Sequence, residues 1–398
     1  MALRHDFTVG IEEEFFLVDA TTFDCVQTMP EAFRREAKAA LGDQVKREII
    51  ASMIEINSKV HASVPAAIVE LSEMRQVVAA IAQRHGLGII AAGTHPFADW
   101  REQLLTPKAR YAVVADSLQT LANRCHICGL HVHVGVADRA VRIDLMNRVQ
   151  RFLPLFLALS TSSPFWRGQP TGLKGYRFAS NGQSPRSGLP GWFANADEFD
   201  RYVAKLVAAK FIPDASYLWW AIRPSAHFPT LELRIADSCT RVGDAGAIAA
   251  LYQSLLHYLE HSPASSLEWE HHHLLINQEN LWQAGRHGTD AHFVDPVTGE
   301  IKSVASWTRE VKNLVSDSAR QLGCVQELMS VGDILSSGSS ADFQLREFED
   351  ALADGASIAA ATRHVAGELA QVTVPTAATW YCDLAGRVTT TSAFDARN

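Results

Sequence analysis

The stretch Gly10-Ile-Glu-Glu-Glu-Phe-Phe-Leu-Val18 decides the architecture of this chain, because it predicts a strand with carboxylates on both faces. Its β-branched and aromatic residues, beginning at Phe7, are typical of strands. Successive side chains of a strand point to opposite faces, so Glu12 and Glu14 share one face and Glu13 lies on the other. Two carboxylates on one face of an apolar strand require either water or a compensating cation.

Three other apolar segments carry polar residues at strand spacing. Glu55 lies in Met53–Ile56, Gly129–Val136 contains His131 and His133, and Thr230–Ala236 contains Glu232 and Arg234. If these faces meet in one cavity, we expect the four glutamates on them and one of the two histidines to be candidate metal ligands. Glutamate oxygens with one imidazole and no cysteine suit Mg²⁺, or alternatively Mn²⁺, better than zinc. A sheet with one face open to water is the other interpretation.

Two arginines near these carboxylates are candidates for binding phosphate. Arg234 stands two residues after Glu232 and therefore on the same strand face. A fixed guanidinium beside metal-bound carboxylates is suited to take phosphate charge in a transition state. Arg223, in the apolar stretch Trp219–Pro224, is a second candidate for contact with a nucleotide phosphate. For each arginine a salt bridge is the alternative.

The order of predicted elements favours an α+β fold on a mainly antiparallel sheet, since it lacks the regular strand–helix–strand rhythm of a parallel one. Further strands are predicted at Leu87–Gly93 and Tyr217–Arg223. Helices are predicted at Pro65–His85, Asp116–Arg124, Arg139–Leu159, Phe199–Lys210 and Asp244–Glu260. Ser160–Phe193 is predicted to be irregular. With no clear boundary, we expect one catalytic domain over 1–398: a sheet core at about 6–262, then a mostly helical part at 263–398 with turns near 295–299 and 332–340.

Composition excludes several classes of protein. The chain has 398 residues, of which 47% are hydrophobic and 20% charged, and its net charge of −8 comes without a basic run. A nucleic-acid partner is therefore not expected. No stretch of 18 apolar residues occurs, so a membrane partner is not expected either. The segment Met1–Gly10 lacks the apolar run of a signal peptide, which predicts a cytoplasmic protein.

Cysteines and glycine motifs give weaker information. Six cysteines are too few for a disulfide scaffold, and the isolated pair Cys125 and Cys128 favours buried thiols, with a redox pair as the alternative. Neither the P-loop pattern nor the Rossmann glycine pattern occurs, so a nucleotide would be held in another way.

The sequence does not decide the oligomeric state. Trp219, Trp220 and the apolar helices could form either a homo-oligomer interface or part of the core.

Six motifs in this order resemble the glutamate–cysteine ligase type 2 family of bacterial carboxylate–amine ligases, within the glutamine synthetase-like superfamily. They are G-I-E-E-E-F-F-L-V at Gly10–Val18, E-I-N-S at Glu55–Ser58, G-T-H-P-F-A-D-W at Gly93–Trp100, R-Y at Arg110–Tyr111, G-L-H-V-H-V-G-V at Gly129–Val136 and T-L-E-L-R-I-A-D at Thr230–Asp237. The resemblance runs from about Phe7 to Glu260. It implies a curved antiparallel sheet that forms a funnel backed by helices, with ATP entering at one end and the amino acids at the other.

The resemblance also implies roles for individual residues. Glu12, Glu14, Glu55, His131 and Glu232 match the family's metal ligands, and Arg234 matches the arginine that faces the transferred phosphoryl group. The resemblance therefore implies catalytic roles for Arg234, Glu232 and Glu55. Arg110 and Tyr111 are expected to seat the acidic substrate, together with His133, Tyr176 and Arg186. The loop Gln169–Trp192 is the candidate lid that excludes water, with an ordered surface loop as the alternative.

The implied activity joins a carboxylate such as glutamate to an amine such as cysteine, using ATP and Mg²⁺ and passing through an acyl phosphate. Three rival hypotheses remain at this stage. The first is a metal-dependent hydrolase in which His131, His133 and the glutamates activate water. The second is a phosphotransferase to a guanidino or amine group, and the third is a metal-stabilised binding module without turnover.

Overall fold

The computed structural model describes residues 6–262 and 271–375, and within them it shows an α+β fold with a mainly antiparallel sheet, as predicted. Parts of the predicted helical region, 263–270 and 376–398, lie outside the described residues. The strands are β1 (Val9–Asp19), β2 (Val45–Arg47), β3 (Met53–Asn57), β4 (Leu87–Ile90), β5 (Leu130–Gly135), β6 (Phe165–Trp166), β7 (Gln169–Pro170), β8 (Ser187–Gly188), β9 (Trp219–Trp220), β10 (Ile222–Pro224), β11 (Thr230–Leu233), β12 (His292–Val294) and β13 (Ile301–Ser303).

Seven strands form the main sheet in the order β10–β11–β5–β1–β3–β2, with β4 paired to the second half of β1. Every pairing in this sheet is antiparallel. The long strand β1 organises it, because its residues pair with three other strands in overlapping registers: 12–16 with β3, 16–19 with β4 and 9–13 with β5. The polar residues of β3 and β5 are thereby brought beside those of β1.

Helices cover the sheet and make up most of the described C-terminal part. They are α1 (Glu31–Leu41), α2 (Val64–Arg84), α3 (Ala109–Leu118), α4 (Thr120–Asn123), α5 (Arg139–Val149), α6 (Leu153–Ser160), α7 (Tyr176–Asn181), α8 (Ala196–Ala208), α9 (Val242–His261), α10 (His271–His287), α11 (Val304–Leu314), α12 (Ser316–Leu322), α13 (Val325–Ser337), α14 (Ser340–Ala353) and α15 (Ile358–Thr373).

Several predicted boundaries were wrong for local reasons. The helix predicted at Arg139–Leu159 is divided into α5 and α6, and Pro154 opens α6, where its missing N–H costs nothing. The helix predicted at Asp116–Arg124 is divided at Gln119, whose φ is +50°. Helix α13 continues through Gly332, so the turn predicted at 332–340 is confined to its end, where Gly338 has φ +85°.

Two other predicted segments also differ from the structure. Tyr217–Arg223 is not one strand, because the Asp214 carboxylate accepts a hydrogen bond from the Ser216 N–H and caps a 3₁₀ turn there. Two short strands, β9 and β10, follow that turn. The predicted irregular stretch Ser160–Phe193 contains helix α7 and the short strands β6 to β8, so it is more ordered than its composition indicates.

A buried ion pair connects β1 to the helices on the face that carries Glu13, called the lower face here; Glu12 and Glu14 lie on the opposite, upper face. Both Glu13 and Arg75 are fully buried, and the Arg75 guanidinium donates to the two carboxylate oxygens over 2.6 and 2.8 Å. Its remaining N–H groups donate to the carbonyl oxygens of Cys239, Thr240 and Thr373. Since Arg75 lies on α2 and Thr373 ends α15, one side chain joins the sheet, α2 and the C-terminal helix.

Two neutral histidines lie on either side of Phe16 in a second, smaller core. The Phe16 ring meets the His95 and His126 rings edge-on, with centroids 5.7 and 4.8 Å away. Burial lowers the pKa of His95 to about 4 and that of His126 to about 3. His95 Nε2 donates to the Phe23 carbonyl, while its Nδ1 accepts the Ala98 N–H. Both rings are therefore uncharged at neutral pH.

Among residues 6–262 and 271–375, none of the helices combines the length and the apolar character that a membrane crossing requires.

We expect Arg75→Met to lower the free energy of unfolding by about 3–5 kcal/mol, because Glu13 would be left buried without its cation. Urea denaturation of the purified protein measures this loss. Arg84→Met is the matched control, since Arg84 lies on the same helix in an exposed pair with Glu36. A loss from Arg75→Met no larger than from Arg84→Met would contradict the structural role of the pair.

We expect acid to destabilise the fold through His95 and His126. Their folded pKa values lie below the ordinary value of about 6.5, so the unfolded chain takes up protons first. This contribution to stability is complete above about pH 6.5 and is lost as the pH falls towards about 4. Melting temperatures measured across this range should fall less steeply for His126→Gln than for the wild type. Parallel curves would show that His126 does not contribute.

Candidate active site

The strand registers bring the predicted polar residues together on the upper face of the sheet. Glu12 lies opposite His131 on β5, and Glu14 lies opposite Glu55 on β3. Glu232 on β11 lies opposite His133. Antiparallel partners have side chains on the same face, so residues 220 positions apart in the sequence become neighbours.

These side chains surround a cavity of about 490 Å³. Eight of the predicted site residues line it: Glu12, Glu14, Glu55, Arg110, Tyr111, His131, Arg223 and Arg234. The lining also includes Lys46, Glu48 and Trp219. Glu232 is 1% exposed and lies between its neighbours Arg223 and Arg234, both of which reach the cavity.

The first cluster of potential metal ligands consists of Glu12, His131 and Glu232, whose donor atoms lie within 4.8 Å of one another. Burial lowers the pKa of His131 to about 4, and Arg234 adds to this effect. The imidazole is therefore neutral near pH 7, the form that binds metals. Burial acts to raise the pKa of Glu12, but hydrogen bonds with His131 and His133 hold it well below its usual value.

Arg223 and Arg234 both form salt bridges to Glu232. The Arg223 guanidinium donates to both of its oxygens, over 2.8 and 3.2 Å, and Arg234 donates to Oε1. Burial acts to raise the pKa of Glu232, but the charges of Arg234 and Arg223 hold it below its ordinary range. The salt-bridge alternative considered for these two arginines is thus the arrangement seen in the structure.

The second cluster consists of Glu14, Glu48 and Glu55, again with oxygens within 4.8 Å of one another. Burial raises the pKa of Glu14 to about 7, although Arg177 opposes the rise. Burial and the neighbouring carboxylates also raise the pKa values of Glu48 and Glu55. A nearby positive charge is Lys46, whose Nζ lies 3.5 Å from Glu55. Three close carboxylates whose pKa values are raised despite Lys46 and Arg177 fit a divalent cation.

Both clusters fit hard cations such as Mg²⁺ or Mn²⁺, because their donors are carboxylate oxygens and one imidazole. Glu48 was not predicted as a ligand from the sequence. It follows β2 outside any regular strand, so strand alternation gives no signal for it. The spacing of seven residues to Glu55 is visible in the sequence but has no meaning until β2 and β3 are seen to pair.

Arg110 and Tyr111, at the start of α3, face the cavity but have partners of their own. Arg110 Nη1 donates to Ser216 Oγ over 2.8 Å, and its guanidinium lies 4.6 Å from the centre of the Tyr217 ring. The Tyr111 hydroxyl donates to the Arg47 carbonyl over 2.7 Å. Arg110 is therefore held in a fixed orientation by polar and ring contacts.

The remaining predicted substrate residues stand back from the cavity. His133 Nε2 lies 3.6 Å from Glu12 and its Nδ1 is 2.9 Å from Thr230 Oγ1. Tyr176 packs against Trp166, with ring centroids 5.2 Å apart. The Arg186 guanidinium lies 5.3 Å from the centre of the Trp219 ring, and Trp219 lines the cavity. Arg186 thus contacts a residue of the cavity lining but is not itself part of that lining.

The candidate lid 169–192 forms one wall of the cavity. Phe178, Asn181, Ser184 and Gly188 line it. Strand β8 pairs in parallel with β9, which ties this wall to the segment that leads into the main sheet. Its role in excluding water remains a prediction.

The two cysteines of the C-x-x-C motif are free thiols. Burial raises the pKa of Cys125 to about 12 and raises that of Cys128 well above its ordinary value. Both are therefore protonated at neutral pH, which makes them poor nucleophiles.

The class of protein follows from comparison with known families. The model of glutamate–cysteine ligase family 2 matches residues 8–372, and the chain belongs to that family. The family resemblance predicted from the motifs is thereby confirmed.

Particular relatives give the same result. The chain is 45% identical over 353 residues to a Rhodospirillum rubrum protein named "Putative glutamate–cysteine ligase 2", covering 88% of this chain and 91% of that protein. A Paracoccus denitrificans protein of the same name is 39% identical over 369 residues, covering 93% of this chain and 98% of that protein.

Solved structures share the fold at low sequence identity. The Francisella tularensis glutamate–cysteine ligase in complex with AMP superimposes with a TM-score of 0.65 at 14% identity, over 94% of this chain and 91% of that one. The Pasteurella multocida bifunctional glutathione synthetase gives 0.63 at 14% identity, over 92% of this chain and 52% of that one.

We expect Glu48→Gln to preserve or raise the melting temperature in the absence of divalent ions, because it relieves repulsion with Glu14 and Glu55. The same change should abolish most of the stabilisation that added Mg²⁺ gives the wild type, since a bound ion stabilises the folded state. Thermal unfolding with and without Mg²⁺ measures both effects. Glu73→Gln, at an exposed position on α2, is the control. An unchanged Mg²⁺ effect in Glu48→Gln would exclude Glu48 as a ligand.

Proposed function

We propose that this protein is an ATP-dependent carboxylate–amine ligase. It forms an amide through an acyl phosphate, with glutamate and cysteine as reference substrates and γ-glutamylcysteine, ADP and phosphate as products. The observation that carries the proposal is the juxtaposition of two carboxylate clusters and two arginines in one cavity. The solved structure of the Francisella tularensis glutamate–cysteine ligase is a complex with AMP, which supports the use of an adenine nucleotide here.

The chemistry requires opposite charges at close range. A carboxylate is a poor electrophile until it is phosphorylated, and both the attacking carboxylate and the polyphosphate are anionic. Glu12, Glu14, Glu48, Glu55, His131 and Glu232 would hold Mg²⁺, with Mn²⁺ as the alternative. The metal would neutralise this repulsion and draw the two reactants together.

The side chains of the chain itself supply the rest of the machinery. Arg234 and Arg223 carry positive charge at the wall where phosphoryl oxygens would lie, and Glu232 holds both guanidinium groups in place. This arrangement stabilises charge on the transferred group without reorganisation during the reaction. Arg110, fixed by Ser216 and Tyr217, is placed to pair with a substrate carboxylate.

The second half-reaction needs an amine and a dry site. The amine attacks the acyl carbon, the bond to phosphate breaks, and phosphate leaves with its electron pair. Water would compete for the same carbon, so the wall formed by 169–192 would protect the intermediate. We also propose that the sheet and the helices behind it act as one catalytic domain, whose partners are small-molecule substrates.

We test the activity by incubating the protein with ATP, Mg²⁺, glutamate and a panel of amines that includes cysteine. A ligase releases phosphate and forms an amide of the expected mass only when carboxylate and amine are both present. A hydrolase would act without nucleotide, and a phosphotransferase would give a phosphorylated product without free phosphate. A binding module would bind ATP without turning it over. Any of these last three outcomes would overturn the proposal.

We expect Glu55→Gln and Glu232→Gln each to reduce phosphate release to background while the fold survives. Glu55→Gln removes a ligand charge, and Glu232→Gln also releases the two arginines it orients. Circular dichroism and the melting temperature establish folding, and Glu73→Gln is the matched control. Phosphate release near the wild-type rate in either variant would show that this residue holds no metal needed for turnover.

A further inference from the structure

The guanidinium of Arg177 lies against Gly129, in space that the side chain of any other residue at 129 would fill. The Arg177 side chain extends from α7 over the start of β5, where a Cβ on Gly129 would lie 2.1 Å from its Nη2 and 2.8 Å from its Cζ. The same Cβ would be 3.1 Å from Nε2 of His131. Because real Cβ atoms essentially never come within 3.0 Å of such atoms, any other residue at 129 would displace the guanidinium.

The guanidinium of Arg177 is buried but poorly paired. It lines the cavity, and the residue is 7% exposed. Its Nη atoms donate to the carbonyl oxygens of Arg234 and Ile235 only over 3.3–3.5 Å. Among the described residues its Nε has no hydrogen-bond partner. Five donors with so few good acceptors leave capacity for an anionic ligand.

Asp237 lies near both the backbone N–H and the guanidinium of Arg177. Its Oδ2 accepts hydrogen bonds from the Ser162 N–H over 2.9 Å and from the Ser163 hydroxyl over 2.7 Å. The Ser163 oxygen in turn accepts a hydrogen bond from the backbone N–H of Arg177 over 2.9 Å. Asp237 Oδ1 lies 3.8 Å from Arg177 Nη1 and has no hydrogen-bond partner among the described residues. The carboxylate is fully buried and packs against Gly93.

We propose that Arg177 binds an oxyanion of a reactant in this cavity, that Asp237 is its positioning residue, and that Gly129 leaves the space its guanidinium occupies. The inference rests on the proposed function for the identity of the oxyanion, which is a substrate carboxylate or a phosphate of the nucleotide. The guanidinium faces the cavity beside His131, where both reactants would have to meet. Asp237 does not line the cavity and acts through Arg177.

We test this by calorimetric titration with two probes, L-glutamate and ADP with Mg²⁺. Arg177→Met should weaken binding of at least one probe by about tenfold or more, as expected for loss of a charged hydrogen bond. If only the affinity for L-glutamate falls, the oxyanion bound by Arg177 is a substrate carboxylate. If only the affinity for ADP falls, it is a nucleotide phosphate. Gly129→Ala and Asp237→Asn should weaken the same probe. Gly332→Ala, in the middle of α13, is the matched control, since a Cβ there meets only Lys312 Nζ at 3.6 Å, an ordinary contact.

A double-mutant cycle separates positioning from general damage to the fold. Gly129→Ala should add nothing to Arg177→Met, because the side chain that it displaces is already gone. Full additivity of the two losses, or unchanged affinity for both probes in Arg177→Met, would overturn the inference. If Gly129→Ala does not fold, the cycle of Asp237→Asn with Arg177→Met serves the same purpose. Failure of the wild type to bind either probe would overturn the proposed function and this inference together.

Discussion

One constraint governs this fold: β1 carries buried carboxylates on both faces, and each face must supply its own compensation. Below the sheet, Glu13 is neutralised by Arg75, which is a permanent part of the structure. Above the sheet, Glu12 and Glu14 face a cavity in which fixed arginines offset only part of the charge. Since an uncompensated buried carboxylate costs several kcal/mol, the proposed cations would complete the charge balance of the upper face. One face of β1 thus carries a structural ion pair, and the other carries the proposed site.

Strand alternation was enough to predict the central part of the site. A period of two placed Glu12 and Glu14 on the face opposite to Glu13, and the same rule paired Glu232 with Arg234. These inferences survive because a shift of one residue would turn every side chain to the wrong face, so the register is strongly specified. The α+β class and the family are confirmed, whereas the metal ligands and the single domain remain predictions.

The remaining features depend on contacts between distant segments, which local patterns do not encode. Glu48 lies outside regular structure and becomes a neighbour of Glu14 and Glu55 only after the strands pair. Arg177 reaches the cavity because Gly129 has no side chain, and neither residue alone indicates the other. A small number of such contacts completes the cavity, and two of them, Glu14 with Glu48 and Gly129 with Arg177, join residues more than 30 positions apart.

The pairing of Arg75 also has a consequence for biosynthesis. Its guanidinium donates to the Thr373 carbonyl, 298 residues further along the chain, as well as to that of Thr240. On the ribosome, where N-terminal segments fold first, β1 and α2 emerge long before these acceptors do. Until α15 is made, the Arg75 guanidinium lacks its Thr373 acceptor. Docking of α15 then supplies the last acceptor of this buried guanidinium.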